Sequence, residues 1–235
     1  ITAGAGSDTI SGGSGADTFV ITATDTGTDT ITDFGLGADT ISGAYTAAGI
    51  LKVTIDNSST TALDLSSVLG ASATASVTGG TSNDSITGGS GADIITGGSG
   101  NDLITGGAGS DTFNVDFGTD TITDLGNGGD IVVVSASATA NATLSSTTPS
   151  WVATSSTSNA GTFSITTATA TTTGTIDLSA VTSTTGTLSI TASNASGAMT
   201  LKGGAGSDVI TGGAGADSIV GGFGNDTITG GAGAD

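Results

Sequence analysis

A nine-residue pattern, G-G-x-G-x-D-x-U-x with U a large apolar residue, recurs along this chain and leaves few folds open to it. It runs through three tracts: two copies from Ala3 to Val20, four from Gly79 to Asn114, and four, the last cut short, from Gly203 to Asp235. Two residues after each aspartate stands Ile10, Phe19, Ile86, Ile95, Ile104, Phe113, Ile210, Ile219 or Ile228. So short a segment between Gly-rich turns can only be a brief strand with U facing inward. Two nonapeptides then close one flattened coil of 18 residues. Coils stacked at about 4.8 Å pair as parallel strands and bury a ladder of Ile and Phe. The predicted class is all-β: a parallel β-roll or solenoid with Gly-rich nonapeptide loops.

The pattern is interrupted in an orderly way. TDTITDFGLGADTIS at 28–42 and TDTITDLGNGGDIVV at 119–133 keep the Asp phase but lose the glycines, with Ile31, Ile41, Ile122 and Val132 at U. Stretches rich in Thr, Ser and Ala follow, and ALDLSSV (62–68) matches TIDLSAV (175–181). The organisation is therefore 1–43 tract and variant, 44–78 spacer coils, 79–134 tract and variant, 135–202 spacer coils, and 203–235 tract, read as one solenoid. Residues 187–204 are expected to form wider coils of the same frame. Residues 139–160, which hold the sole Pro149 and Trp151, show no clean period and are expected to leave the frame as a loop.

Charge sharpens the question of what the turns do. All 21 acidic residues are Asp, against Lys52 and Lys202 alone, for a net charge of -19 in 235 residues. Asp, unlike Glu, keeps a carboxylate close to its own turn. An 18-residue coil places Asp84 over Asp102 and Asp93 over Asp111, with Asp120 and Asp130 continuing the two columns. Carboxylates about 4.8 Å apart repel by roughly 3 kcal/mol per pair at an effective dielectric near 20. A cation is needed between them, and an oxygen-only set of carboxylates and Gly carbonyls suits Ca²⁺ better than octahedral Mg²⁺. Roughly ten such ions would nearly cancel the charge. Isolated Asp56, Asp64 and Asp177 are read as turn formers, Asp25 and Asp116 stay open, and Asp33 and Asp124 are read as ligands or edge caps.

These tracts resemble the calcium-binding β-roll of the repeats-in-toxin (RTX) proteins, and the two D-x-I-x-D-[F/L] segments resemble what often follows such a tract. The resemblance implies metal ligands at Asp8, Asp17, Asp84, Asp93, Asp102, Asp111, Asp208, Asp217, Asp226 and Asp235. Asp29, Asp39, Asp120 and Asp130 join them on phase. Ala3 and the pair Thr81-Ser82 depart from the pattern. The alternation with DLS strands also resembles calcium-dependent bacterial surface-layer proteins. It implies a secreted, extracellular protein that folds only where calcium is plentiful.

Other classes fit less well. With no His, Arg, Cys or Glu, the chain lacks the usual catalytic and zinc-binding groups, and no enzyme activity is expected. An acidic chain without basic patches is expected to repel nucleic acid. No apolar run of spanning length and no N-terminal export signal is read, so membrane insertion is not expected. The expected partners are further copies of the chain, end to end or side by side, with cell-surface polysaccharide as a candidate. If Asp235 were followed by one residue and a copy starting at Ile1, Asp226 would face Asp8 and Asp235 would face Asp17. That reads as an excerpt of a longer repetitive chain or as end-to-end assembly. The leading function is a calcium-binding structural solenoid of a surface layer or extracellular filament. The alternatives are the stalk or secretion module of an RTX adhesin, or the accessory roll of a secreted hydrolase.

Overall fold

The residues flanking each U position alternate between a Gly-rich turn and a β-branched or apolar neighbour, and that alternation makes strands of them. The computed structural model describes residues 1–22, 26–45, 48–55, 61–126, 129–144, 150–167, 173–183 and 185–235. Among these, every helix or strand is a strand, and no helix is long and apolar enough to cross a membrane. The chain divides into two units, Ile1–Phe117 and Gly118–Asp235.

The first unit contains β1 (Thr9–Ile10), β2 (Thr18–Ile21), β3 (Thr28–Phe34), β4 (Thr40–Gly43), β5 (Ile50–Ile55), β6 (Ala62–Asp64), β7 (Thr74–Thr78), β8 (Ser85–Thr87), β9 (Ile94–Thr96), β10 (Leu103–Thr105) and β11 (Thr112–Val115). Alternate strands go to separate parallel sheets. One runs β1-β3-β5-β7-β9-β11, another β6-β8-β10, and β2 pairs with β4. In the repeat tract Leu103 pairs with Ser85 and Thr112 with Ile94, the 18-residue coil expected. Ile86, Ile95, Ile104 and Phe113 have no exposed surface. Each such side chain contributes about 2–3 kcal/mol on burial.

The second unit contains β12 (Thr119–Ile122), β13 (Ile131–Val134), β14 (Thr139–Leu144), β15 (Ser150–Val152), β16 (Ser158–Asn159), β17 (Thr162–Thr167), β18 (Gly174–Asp177), β19 (Thr187–Thr191), β20 (Met199–Lys202), β21 (Val209–Thr211), β22 (Ser218–Val220) and β23 (Thr227–Thr229). Its parallel sheets run β12-β14-β17-β19-β21-β23, β15-β18-β20-β22 and β13-β16. The spacer coils are wider, as expected: Thr162 pairs with Thr187 and Gly174 with Met199, and the narrow coil returns where Val209 pairs with Thr227. The inward ladder loosens at Ile41 and Ile219, both half-buried, and at Ile228, which is 49% exposed on a strand paired only with β21.

One expectation is corrected. Residues 139–144 and 150–160 do not leave the frame, because β14, β15 and β16 lie within them and pair with β12, β17, β18 and β13; residues 145–149 lie outside the described residues. The period was hidden because the inward residues of β14 are Ala140, Ala142 and Leu144 against outward Thr139, Asn141 and Thr143, a weak hydropathic contrast. Trp151 supplies the missing volume. It is buried, edge-on to Phe163 with centroids 5.8 Å apart, and its indole N–H donates to the Asp130 carbonyl at 3.1 Å. Pro149 lies outside the described residues.

Candidate metal-binding columns

Each nonapeptide aspartate ends a six-residue turn, and its backbone fixes where the carboxylate goes. In four of them Oδ2 accepts the N–H of the glycine four residues earlier, closing its own loop: Gly80 to Asp84 at 3.0 Å, Gly89 to Asp93 at 2.6 Å, Gly204 to Asp208 at 2.9 Å and Gly213 to Asp217 at 2.8 Å. Oδ1 accepts the N–H of the aspartate one coil earlier. Asp84 donates to Asp102 at 2.8 Å, Asp93 to Asp111 at 2.9 Å, Asp208 to Asp226 at 3.0 Å and Asp217 to Asp235 at 3.0 Å, each across 18 residues. The first coils obey the same rule at wider spacing, Asp8 to Asp29 at 3.1 Å and Asp17 to Asp39 at 3.0 Å. Twelve aspartates are thus brought together in six pairs.

Burial is deeper than a surface ion pair needs. Asp29, Asp84, Asp93, Asp102, Asp111, Asp120, Asp130, Asp208 and Asp217 are all buried, whereas Asp8, Asp17, Asp39 and Asp226 are half-buried and Asp235 is exposed. Burial pushes the carboxyls of Asp93 and Asp208 up, and that of Asp102 up to about 6, against a weaker pull from backbone N–H donors. The neighbouring carboxylates Asp84 and Asp226 add to the rise at Asp102 and Asp208. No basic side chain offsets this. The one ion pair among the described residues joins Lys202 to Asp177 at 2.8 Å, away from the nonapeptide turns.

The turns themselves are lined by backbone. A Cβ built on Gly98 would lie 2.4 Å from the Gly80 carbonyl oxygen, and one on Gly109 would lie 2.2 Å from that of Gly91. Oxygen is therefore the sole side-chain donor type at the columns, beside closely stacked carbonyls. Among the described residues no three acidic side chains gather at one point, so any cation would draw carbonyls as well as carboxylates. Asp17 shows the vacancy in hydrogen bonding most directly. Asp33 takes the N–H groups of Gly12 at 3.0 Å and Gly13 at 2.8 Å together with the Ser11 hydroxyl at 2.6 Å, which leaves the buried Asp17 Oδ2 with no hydrogen-bond partner. Those donors hold the Asp33 carboxyl below its ordinary value despite burial. A hard, oxygen-seeking cation fits this donor set.

The family model of the RTX calcium-binding nonapeptide repeat (4 copies) matches residues 1–20, 70–104, 88–122 and 200–235. The chain is an RTX β-roll protein. No curated protein and no solved structure matches it significantly. As in the matched repeat, calcium is the ion of this RTX protein, and the β-roll is its calcium-binding structural module.

One observation lay outside the sequence reading: the Asp columns continue through the spacer coils with apolar residues. Asp29 is in register with Leu51, Leu51 with Ala75, and Ala75 donates its N–H to Asp93 at 2.6 Å. In the second unit Asp120 is followed by Ala140, Phe163 and Leu188 before Asp208, and Met199 donates to Asp217 at 2.8 Å. All six replacements are buried. The signal was present as L-K-V, A-S-V, A-N-A, F-S-I, L-S-I and M-T-L standing for D-x-U. The DLS segments, by contrast, behave as the sequence leads one to expect, one device used twice. Asp64 accepts the Ser66 N–H at 2.9 Å and Asp177 the Ser179 N–H at 3.0 Å, which makes both turn formers. Asp25 and Asp56 lie outside the described residues.

That contrast yields a test. Asp93→Ala removes the acceptor of two buried N–H groups, at a cost of about 2–4 kcal/mol, besides a carboxylate of the column. Asp64→Ala loses one exposed turn bond, worth about 1 kcal/mol or less. Calcium titrations followed by circular dichroism should show the midpoint raised at least about tenfold for the first and nearly unchanged for the second. Coincident midpoints would contradict the column assignment.

Proposed function

We propose that this RTX protein is a secreted, calcium-stabilised structural solenoid of a bacterial surface layer or extracellular filament. The observation that carries the reading is the stacking of buried carboxylates, Asp84 on Asp102 and Asp93 on Asp111, beside closely stacked turn carbonyls. On this reading the ions are held by Asp8, Asp17, Asp29, Asp39, Asp84, Asp93, Asp102, Asp111, Asp120, Asp130, Asp208, Asp217, Asp226 and Asp235 with neighbouring turn carbonyls. Calcium supplies the positive charge that lets these carboxylates stay ionised in the interior, so that binding energy becomes folding energy. In cytosol, where free calcium is scarce, the columns repel; outside the cell they close.

Assembly with further copies is supported by the outward faces. Thr143, Thr166, Thr191, Thr211 and Thr229 stand in register on five adjacent strands, an uncharged hydroxyl row on a chain of net charge -19. Such a face can approach its like without charge repulsion, whereas the acids are kept at the turns. Electron microscopy of the purified protein decides the matter. Ordered arrays or fibres should form in millimolar calcium and disperse in EGTA. Calcium-folded but dispersed monomers at high concentration would refute the assembly role.

A further inference from the structure

The apolar rungs divide the solenoid into two kinds of coil. In the nonapeptide tracts each three-residue strand β8, β9 and β10 buries one Ile, and its turn is closed by a buried carboxylate. In the spacer of the second unit, β14 and β17 pair over six residues and β17 and β19 over five. They bury Ala140, Ala142, Leu144, Phe163, Ile165 and Leu188 in their place. The turns there close on backbone bonds, and their one acid, Asp177, is paired with Lys202 at 2.8 Å. Backbone bonds run Ala138 to Ser135 at 3.1 Å, Val181 to Leu178 at 2.8 Å and Ala195 to Ala192 at 2.8 Å. Coil-to-coil bonding at the corners passes to neutral amides: Asn159 Nδ2 donates to the Thr187 carbonyl across 28 residues, and Asn194 Nδ2 to the Thr167 carbonyl across 27, both at 3.0 Å.

Nothing in these coils needs a cation. Their rungs are longer, their interiors richer in apolar surface and their one acid, Asp177, is already offset by Lys202, whereas the tracts bury carboxylates with no such partner at Asp93, Asp102 and Asp208. We infer that the spacer coils of residues 135–202 form a calcium-independent folded core, onto which the nonapeptide coils of residues 203–235 order when calcium binds. The inference rests on the calcium reading of the tracts and adds to it that the calcium-free protein is half built rather than unfolded. A pre-formed core also removes the costly nucleation of the first parallel coil from the calcium-driven step.

Hydrogen exchange with mass spectrometry on the whole chain, at neutral pH in EGTA and in millimolar calcium, separates the two claims. In EGTA the amides of β14, β17 and β19 should exchange at least about 100-fold more slowly than those of β8, β9, β10 and β23. Calcium should then slow the tract amides and leave the spacer nearly unchanged. Fast exchange throughout in EGTA, with protection throughout in calcium, would overturn the core while leaving the calcium reading intact. Slow tract exchange in EGTA would overturn the calcium reading itself. Leu188→Asp places a carboxylate beside Asp208, and the spacer should then lose its EGTA protection. Spacer protection in EGTA equal to that of the unaltered chain would count against the inference.

Discussion

Gly107→Val will leave the surrounding repeat tract disordered even at saturating calcium. Gly107 has φ +104°, and a Cβ there would lie 2.0 Å from the Gly89 carbonyl oxygen of the coil below. Two costs add. The left-handed conformation is strained for a β-branched residue by about 1–3 kcal/mol, and the clash with backbone cannot be relieved by a rotamer change. Separating the coils would also break the rung from the Ala108 N–H to that same oxygen, now 3.1 Å. A total above about 4 kcal/mol exceeds what one additional ion site returns under ordinary conditions. Exchange protection of β8, β9 and β10 in calcium should vanish, while Gly174→Ala, at a glycine without positive φ, serves as the comparison. Normal protection in the valine variant would mean that the turns are far looser than their stacking implies.

Acid will partly replace calcium. Burial raises the carboxyls of Asp93 and Asp208 and sets that of Asp102 at about 6, above the ordinary 3.8. The folded state therefore takes up these protons before the unfolded chain does. Stability of the calcium-free fold is lowest above about pH 6 and rises as pH falls toward 4. Asp33, Asp64 and Asp177 are shifted down, so what they contribute is present above 3.8 and is lost only as pH falls through their lower folded values. In EGTA, circular dichroism should show β structure increasing from pH 7 to about pH 4.5 and declining under stronger acid. In calcium the reverse holds: protons compete for the same oxygens, so the calcium midpoint should climb as pH drops through about 6. A flat EGTA profile over that range would show that the buried carboxylates are already compensated.

Much of this was open to inspection in the letters. The triplets S-I-T, I-I-T and L-I-T between Gly-rich turns specify strands, inward residue and 18-residue register, because a period of two and a period of nine agree on one answer. The column partners Asp84 with Asp102 and Asp93 with Asp111 follow from that period alone. Leu51, Ala75, Phe163 and Leu188 escaped because a column is recognised by its repeated residue, and there the residue changes while its place does not. Asp33 was ambiguous for another reason: a carboxylate that caps N–H groups and one that awaits a metal are the same side chain, and only the neighbouring donors tell them apart. Trp151 lay hidden among Thr, Ser and Ala, where inward and outward positions differ by little more than a hydroxyl.

The carboxylate ladders also have a direction. Where aspartates follow one another, as from Asp84 to Asp102 and from Asp208 to Asp226, the N–H of the earlier is accepted by the later, while Asp84 and Asp208 each keep a second partner in their own turn. The carboxylate ladder of a coil is thus finished by its successor, whereas backbone rungs such as Leu103 N–H to the Asp84 carbonyl at 2.8 Å lean on its predecessor. Deleting the later coil of a pair strands a buried donor in the earlier one; deleting the earlier coil leaves the later carboxylate still held by its glycine. Damage to the carboxylate ladder, as distinct from the backbone rungs, should travel backward toward the N-terminal end of a tract.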